Sequence, residues 1–291
     1  MGMAADGLTP APRRALITGA SAGIGAAFAQ RLGREGYDLV LVARRRDRLR
    51  ALAEQIVGES GVAVEVLVAD LAQPQDLQAV AERVAGDATL EMLVNNAGFG
   101  VNSRFQQTDP TLLDAMIRVH VVAVMCLTRA ALPQMLARDR GSIINVASTA
   151  AFLADPGSIW NTYAGTKAFV LTFTVGLQED IRGTGVRVQA LCPGWTRTEI
   201  LERDGRAWDV PEAYTMGPDQ VVEASLAGLR HGELVCCPSL HDAALLTQLD
   251  QLKDTIFGHT NTTGRLAPRY GRTADETDPP RAASGADRAL G

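Results

Sequence analysis

Residues 15–25 read Ala15-Leu-Ile-Thr-Gly-Ala-Ser-Ala-Gly-Ile-Gly25, an apolar run that leads into three closely spaced glycines. Gly19, Gly23 and Gly25 have no Cβ, so the backbone can turn sharply there and approach a ligand closely. The residues that follow have helical periodicity, and the N-terminus of a helix offers unpaired N–H groups and the positive end of a dipole. Glycines in a strand–helix turn also occur for steric reasons alone, but this order of strand, turn and helix favours nucleotide binding.

Outward from this turn, short apolar runs alternate with longer amphipathic segments. Strands this apolar are buried on both faces, and helical crossovers between them imply parallel pairing. The sequence therefore predicts a single-domain α/β fold, a doubly wound parallel sheet of about seven strands with helices on both faces. The predicted strands are Ala15–Thr18, Asp38–Val42, Val62–Val68, Met92–Asn95, Ser142–Ala147, Val186–Leu191 and Leu234–Cys237, and the predicted helices include Ile24–Glu35, Asp47–Val57, Asp76–Val84 and Leu112–Met135.

The two ends of the chain differ in composition from the rest. Residues 258–291 are rich in Gly, Pro, Thr, Arg and Asp, and Tyr270 is their only aromatic residue. Such a segment buries too little apolar area to offset the entropy of ordering it. We therefore expect a flexible N-terminus over residues 1–12, a folded domain over 13–257 and a disordered tail over 258–291.

Composition and charge exclude several classes of protein. The chain has 291 residues, of which 46% are hydrophobic and 21% charged, so it has enough apolar residues for a large core. Its net charge of −5 opposes non-specific binding to nucleic acid. No apolar run approaches the roughly 18 residues of a membrane span. The four cysteines show neither zinc-site spacing nor a metal-binding cluster, and they favour free thiols in a cytoplasmic location.

Four motifs in order carry a family resemblance. Thr18-Gly-x-x-x-Gly-Ile-Gly25 is followed by Asn95-Asn-Ala-Gly98, Tyr163-x-x-x-Lys167 and Pro193-Gly194. Together they resemble the short-chain dehydrogenase/reductase family. The resemblance implies a Rossmann-type fold, an oxidoreductase with a nicotinamide cofactor, and a homodimer or homotetramer formed through the long helices around 112–135 and 163–181.

The end of the second predicted strand indicates which dinucleotide is bound. A carboxylate there would accept from the ribose 2′-OH and favour NAD(H). This chain has Val42-Ala43-Arg44-Arg45-Arg46 instead, so Arg44 can pair with a 2′-phosphate through its guanidinium fork. The sequence therefore favours NADP(H), although one or two of the three arginines can be solvated residues at the start of the next helix.

The resemblance also implies a set of cofactor-binding residues. Asp70 would hold the adenine, and Asn96, Ala97 and Gly98 would line the ribose. Asn95 has two possible roles. It can contribute to the cofactor site, or it can be a polar residue that caps the end of the strand. The other positions expected to bind the cofactor are Thr18, Gly19, Ser21, Gly23, Ile24, Gly25, Tyr163, Lys167, Pro193, Gly194, Thr196 and Thr198.

Tyr163 and Lys167 are the candidate catalytic pair. They are four residues apart, so a helix places both side chains on one face. A phenol has a pKa of about 10, and an adjacent ammonium and the positive nicotinamide would lower it toward neutrality. Tyr163 could then donate a proton to a carbonyl or accept one from an alcohol, and the resemblance implies that Lys167 also binds the nicotinamide ribose.

Two further side chains are candidates for the same centre. Ser148 ends the fifth predicted strand, where a hydroxyl can donate to a substrate oxygen that gains negative charge, and Thr149 is its rival for this role. His120 occupies the position where the family commonly has Asn, which supports a water chain to the Lys. An imidazole could carry the same proton relay, or His120 could be a packed core residue.

These residues predict an NADP(H)-dependent oxidoreductase that interconverts a ketone or aldehyde and its alcohol. The alternative is a non-catalytic NADP(H) sensor, which the presence of both Tyr163 and Lys167 disfavours. The segment Glu199–Gly217 should cover the substrate, and its Trp208, Tyr214 and Met216 suggest an at least partly apolar substrate. The run Gly194–Glu199 and the strand-end cysteines resemble the branch of the family that includes acyl-chain ketoreductases and carbonyl reductases.

Overall fold

The protein forms one seven-stranded sheet in which every pairing is parallel. A computed structural model describes residues 13–101, 103–153, 160–199 and 210–270. The strand order is β3-β2-β1-β4-β5-β6-β7, which confirms the predicted doubly wound sheet. The strands are β1 Arg14–Thr18, β2 Asp38–Ala43, β3 Val64–Val68, β4 Leu90–Asn95, β5 Gly141–Val146, β6 Val186–Leu191 and β7 Val235–Cys236.

Eight α-helices flank or follow these strands among the described residues. Their bounds are α1 Gly23–Arg34, α2 Arg46–Ser60, α3 Pro74–Ala85, α4 Pro110–Ile117, α5 Ala123–Ala137, α6 Asn161–Asp180, α7 Pro218–His231 and α8 Ala244–Thr263.

The alternation of side chains along each strand places a core on both faces of the sheet. Ile17 and Leu41 pack in one cluster with α1, α2 and α7. Leu16 and Val40 point the opposite way and pack with α3, α5 and α6. All four of these side chains are at most 1% exposed. Burial on both faces is what makes these strands apolar runs in the sequence.

The order of the strands creates a crevice at the carboxyl end of β1. Strand β1 pairs with β2 on one side and β4 on the other, so the crossovers leave it in opposite directions. In open α/β sheets ligands bind at this point. The glycine turn, the end of β4 and the start of α2 all lie around it.

Helices α4 and α5 form one apolar run that contains a π-helical turn. Residues Arg118–Val122 make this turn, with His120 at its centre. The run Pro110–Ala137 has 28 residues and contains an 18-residue window with a mean hydropathy of 1.7, so by length and composition it could cross a membrane. The run includes the helix predicted over Leu112–Met135. Its buried residues, which include Leu127 and Ala131, pack on the sheet as in a core helix.

The C-terminal region differs from its prediction. The described residues divide into two compact units between Ser239 and Leu240, where a single domain was expected. The predicted start of the tail at residue 258 is wrong, because α8 continues to Thr263 and ends at Gly264, which has a φ of 53°. The hydroxyls of Thr260 and Thr262 donate to carbonyls one turn earlier, which makes threonine compatible with this helix. The predicted N-terminal segment 1–12 and the part of the predicted tail beyond residue 270 lie outside the described residues.

Candidate active site

Two glycines of the turn after β1 have backbone conformations that other residues rarely adopt. Gly19 has a φ of 68° and Gly23 a φ of 56°. A Cβ added at Gly19 would lie 2.8 Å from Ala97 Cα, and one at Gly23 would lie 2.9 Å from Thr198 Cγ2. The turn therefore needs glycine for its conformation and for the close approach of neighbouring segments.

The third glycine and Thr18 have packing roles. A Cβ on Gly25 would lie 2.4 Å from Gly19 O, so α1 approaches the turn only because this residue is glycine. Thr18 Oγ1 donates to Val94 O and accepts from the N–H groups of Asn96 and Ala97. The Thr18 side chain therefore joins the ends of β1 and β4, and Thr18 is not among the residues that line the cavity described next.

A cavity of about 510 Å³ opens at the switch point of the sheet. The glycine turn and the end of β4 form its floor, and the carboxyl ends of β2 and β3 form one rim. Of the predicted cofactor residues it is lined by Gly19, Ser21, Gly23, Ile24, Arg44, Asp70, Asn96, Ala97, Gly98 and Thr198, and also by Arg45, Leu112, Val119 and Glu199.

Arg45, which the sequence analysis did not single out, contacts both Ser21 and Glu199 at the basic rim. Its Nε and Nη2 donate to Ser21 Oγ at 3.1 and 2.9 Å, and its Nη1 donates to Glu199 at 2.6 Å. Arg48 also pairs with Glu199. Arg44 instead points toward Asp70, with 4.0 Å between Nη1 and Oδ2. Two arginines thus line the cavity, where the sequence had indicated one.

Tyr163 lies on the first turn of α6, and the Ser148 side chain influences its hydroxyl. Burial raises the pKa of Tyr163, and the Ser148 hydroxyl opposes this shift. Desolvation is thus the largest effect on the pKa of Tyr163, and it acts in the direction opposite to the lowering expected from Lys167. Ser148 also caps a short 3-10 helix by accepting from Ala150 N–H, whereas Thr149 is exposed. Ser148 is the hydroxyl at this centre.

Lys167 is buried one turn farther along α6. Its Nζ donates to Val146 O at 2.8 Å and lies 5.6 Å from the centre of the Tyr163 ring. Burial lowers the pKa of Lys167 to about 8. A Cβ added at Gly98, on the cavity wall, would lie 3.7 Å from this Nζ. The Tyr163–Lys167 pair therefore adjoins the cavity at Gly98.

His120 has every polar atom of its ring satisfied inside the protein. Thr166 Oγ1 donates to Tyr163 O, so it accepts from His120 Nδ1 at 2.9 Å. His120 Nε2 then accepts from Phe99 N–H at 3.0 Å. Burial and the charge of Lys167 hold its pKa well below the usual value. The imidazole is thus neutral and packs against the Tyr163 ring with 5.6 Å between ring centres. Of the two roles considered for His120, a proton relay and a packed core residue, the structure favours the packed residue.

Replacing His120 with glutamine is expected to lower kcat by less than about tenfold and leave the shape of the pH–rate profile unchanged. A side chain that stays neutral contributes no titration to turnover. A depressed histidine pKa also means that wild-type stability falls as pH drops below about 6.5, where the unfolded chain binds a proton that the folded one does not. Melting curves of wild type and His120→Gln from pH 5 to 8, together with kcat profiles, test both statements. Loss of a limb of the kcat profile in the variant would show a relay.

The segment Pro193–Thr198 is fixed on both sides. Pro193 O accepts from Thr149 N–H, and Thr196 pairs with Met216 in an isolated parallel bridge. Thr196 Oγ1 donates to Gly194 O, so this hydroxyl is used within the segment, and only Thr198 of the four predicted positions here lines the cavity. Tyr214 is exposed and Met216 partly buried, and Trp208 lies outside the described residues.

Asn95 belongs to a buried polar network between β4, β5 and two helices. Its Nδ2 donates to Asn145 Oδ1 and Thr128 Oγ1, and Asn145 Nδ2 donates to Thr174 Oγ1. This favours the structural interpretation of Asn95. The described residues contain no group of three His, Cys, Asp or Glu side chains that could hold a metal ion.

Similarity to known proteins agrees with this geometry. A family profile for short chain dehydrogenase matches residues 13–207. The chain belongs to the short-chain dehydrogenase family. Within the family, it is 33% identical over 74% of its length to an uncharacterized oxidoreductase from Staphylococcus aureus, of which the match covers 90%.

Two solved structures of the family are also similar. One is a short-chain dehydrogenase from Sphingobium yanoikuyae in complex with NADPH, with 41% identity, a TM-score of 0.83 and coverage of 89% of this chain and 100% of that one. The other is the bulky-bulky ketone specific alcohol dehydrogenase from Comamonas testosteroni, with 35% identity, a TM-score of 0.80 and coverage of 89% and 98%. The chain is thus an NAD(P)-dependent oxidoreductase of this family.

The cavity fits the dinucleotide that the family uses. Gly19 and Gly23 have no Cβ, so a ligand can approach the backbone of the turn closely. Helix α1 begins at Gly23, so its N-terminus faces this part of the cavity. Arg44 and Arg45 supply positive charge at the rim. These are the features that bind a pyrophosphate and an adenosine phosphate.

Proposed function

We propose that the protein is an NADP(H)-dependent carbonyl reductase that interconverts a ketone or aldehyde and the corresponding alcohol. The observation that carries the proposal is the position of Lys167, whose Nζ lies 5.6 Å from the centre of the Tyr163 ring and next to the cavity wall at Gly98. Ser148 acts on the same phenol, since its side chain lowers the pKa of Tyr163 against the effect of burial. A proton donor, a hydroxyl that can bind the carbonyl oxygen and a lysine thus meet beside a dinucleotide cavity.

The chain's own residues account for the proton half of the reaction. When bound, the nicotinamide cofactor supplies hydride chemistry at the carbonyl carbon. Ser148 donates to the substrate oxygen and stabilises the negative charge that develops there. The Tyr163 hydroxyl donates its proton to that oxygen during reduction and accepts it back during oxidation. Lys167, with its pKa near 8, adds positive charge that favours the phenolate after transfer.

The preference for NADP(H) rests on charge at the cavity rim. Arg44, Arg45 and Ser21 lie where the second strand and the glycine turn meet. No carboxylate occupies the end of β2, since the strand ends at Ala43 and Arg44 follows. The similar Sphingobium yanoikuyae protein was solved in complex with NADPH, which supports the same preference here.

The proposed substrate is a ketone with bulky apolar groups. The aromatic ring of Trp160 lies 5.3 Å from that of Tyr163, so the proton donor has an apolar neighbour. Trp195 is on the segment that follows β6, and 41% of it is exposed. The similar Comamonas testosteroni enzyme is described as specific for bulky-bulky ketones.

The decisive experiment is consumption of NADPH with a panel of carbonyl compounds. The panel should contain short aldehydes, methyl ketones, ketones with two large apolar substituents, and 3-oxoacyl thioesters. We expect turnover that is highest in kcat/KM for the bulky apolar ketones and higher with NADPH than with NADH. An absence of turnover on every compound with both cofactors would contradict the proposed activity.

We also infer that the protein is a homodimer or homotetramer. Large apolar side chains of α4 and α6 outside the cavity are exposed, among them Ile117 at 45% and Val175 at 40%. A second copy that packed on these helices would bury them. Light scattering coupled to size-exclusion chromatography measures the mass in solution, and a monomer at micromolar concentration would contradict this inference.

A further inference from the structure

Glu199 is an acidic residue in the middle of the basic rim of the cavity. It accepts from Arg45 Nη1 at 2.6 Å and also pairs with Arg48. Both arginines lower the pKa of Glu199, so its carboxylate is charged. Among the described residues that line the cavity, Glu199 and Asp70 are the acids. Glu199 thus holds the same guanidinium that a 2′-phosphate would need.

The backbone keeps this carboxylate at the rim. Thr198 packs against Gly23, where a Cβ would lie 2.9 Å from its methyl group. Arg197 N–H donates to Met216 O at 2.9 Å, which anchors the same segment from the other side. A rotation of the Glu199 side chain can release Arg45. Because the backbone of the segment is anchored, the carboxylate still stays close to Arg45 and to any anion that Arg45 binds.

We propose that Glu199 is a specificity-determining residue that competes with the 2′-phosphate of NADP(H) for Arg45. In the structure, Arg45 donates to Glu199 and to the Ser21 hydroxyl. Binding of a 2′-phosphate replaces the carboxylate as the anionic partner of Arg45, and Glu199 retains Arg48. NAD(H) has no 2′-phosphate, so its binding does not require Arg45 to leave Glu199. Glu199 therefore weakens the binding of NADP(H) but not that of NAD(H), and it reduces the preference for NADP(H).

This inference rests on the proposed preference for NADP(H), and equilibrium binding separates the two. Titration calorimetry of the wild-type protein with NADP⁺ and NAD⁺ tests the preference itself. The change in the ratio of the two dissociation constants in Glu199→Gln tests the inference. The ratio can change in the expected direction whichever dinucleotide the wild type prefers.

We expect Glu199→Gln to bind NADP⁺ about threefold to tenfold more tightly than wild type, with NAD⁺ affinity changed by less than about twofold. The gain is modest because the ion pairs it removes are partly exposed. Glu199→Ala should give the same direction. The matched control is Glu54→Gln, which removes one exposed negative charge from α2 away from the cavity and should leave both dissociation constants unchanged.

A double-mutant cycle isolates the role of Arg45. When Arg45 is already alanine, Glu199→Gln should no longer tighten NADP⁺ binding, because the contested group is absent. A gain that persists in that background would overturn the proposal, since Glu199 would then act on the phosphate without Arg45. Weaker NAD⁺ binding with no gain for NADP⁺ would also overturn it, because Glu199 would then be an acceptor for the ribose 2′-OH.

Discussion

Tyr163→Phe is expected to lower kcat by about 10²–10⁴-fold, the usual contribution of a positioned general acid. The substitution removes only the phenolic hydroxyl. The ring keeps its contacts with Trp160 and His120, so the fold and cofactor affinity should stay close to wild type. Single-turnover reduction of a reactive ketone under saturating NADPH measures the chemical step directly. The dissociation constant for NADPH, from fluorescence titration, should change by less than about twofold.

The matched control for this variant is Tyr37→Phe. Tyr37 precedes β2 at the opposite end of the strands and contacts Arg13 rather than any site residue. It should retain wild-type turnover. If Tyr163→Phe kept most of its activity, another group would have to supply the proton and the assignment of Tyr163 would be wrong. If Tyr163→Phe lost NADPH binding in parallel with turnover, its effect would be structural.

The fold could be predicted from the sequence because its strands carry an unambiguous signal. Val40, Leu41 and Val42 form a continuous apolar run, and the structure buries all three completely because both faces of β2 are covered. The break between α4 and α5 could not be predicted in this way. A π-helical turn has the same composition as the helix around it, and only the structure shows that it lies at Arg118–Val122 with His120 buried within it.

The C-terminal helix was missed for a different physical reason. Helix α8 has no buried residue, so it lacks the contrast between apolar and polar faces that a core helix gives. Gly258 and several threonines lower its intrinsic helix propensity. Backbone hydrogen bonds by the threonine hydroxyls, such as Thr255 to Gln251 O, are visible only once the helix is formed.

The site was predicted at the level of motifs but not of individual contacts. The spacing of Tyr163 and Lys167 places both on α6, and the structure shows them together. The sequence could not show that Arg45 contacts Ser21 while Arg44 points to Asp70, because consecutive residues in a loop have no fixed direction. It also could not connect Glu199 to the same rim, since the two segments are 154 positions apart and meet only in the fold.

Replacing Arg44 or Arg45 with alanine is expected to weaken NADPH binding by about 10- to 100-fold. A charge-assisted hydrogen bond to a phosphate contributes about 1.5–3 kcal/mol, and each 1.4 kcal/mol corresponds to about tenfold in affinity. NADH affinity should change little, because NADH has no phosphate on the 2′-oxygen. The measurement is titration of wild type and both variants with the two reduced dinucleotides, at one fixed salt concentration because screening weakens exposed charge pairs.

Arg46→Ala is the matched control for both arginines. Arg46 is exposed, begins α2 and does not line the cavity, so its loss removes the same charge from the same loop without removing a cavity contact. Ala43→Asp should act in the opposite sense, since a carboxylate at the end of β2 repels the phosphate and accepts from the 2′-OH. Equal losses of NADPH and NADH affinity in Arg44→Ala and Arg45→Ala would mean that the two arginines have a structural role at the rim and do not bind the 2′-phosphate. Tighter binding of NADH than NADPH by the wild type would reverse the cofactor assignment, because the positive rim would then have no phosphate to bind.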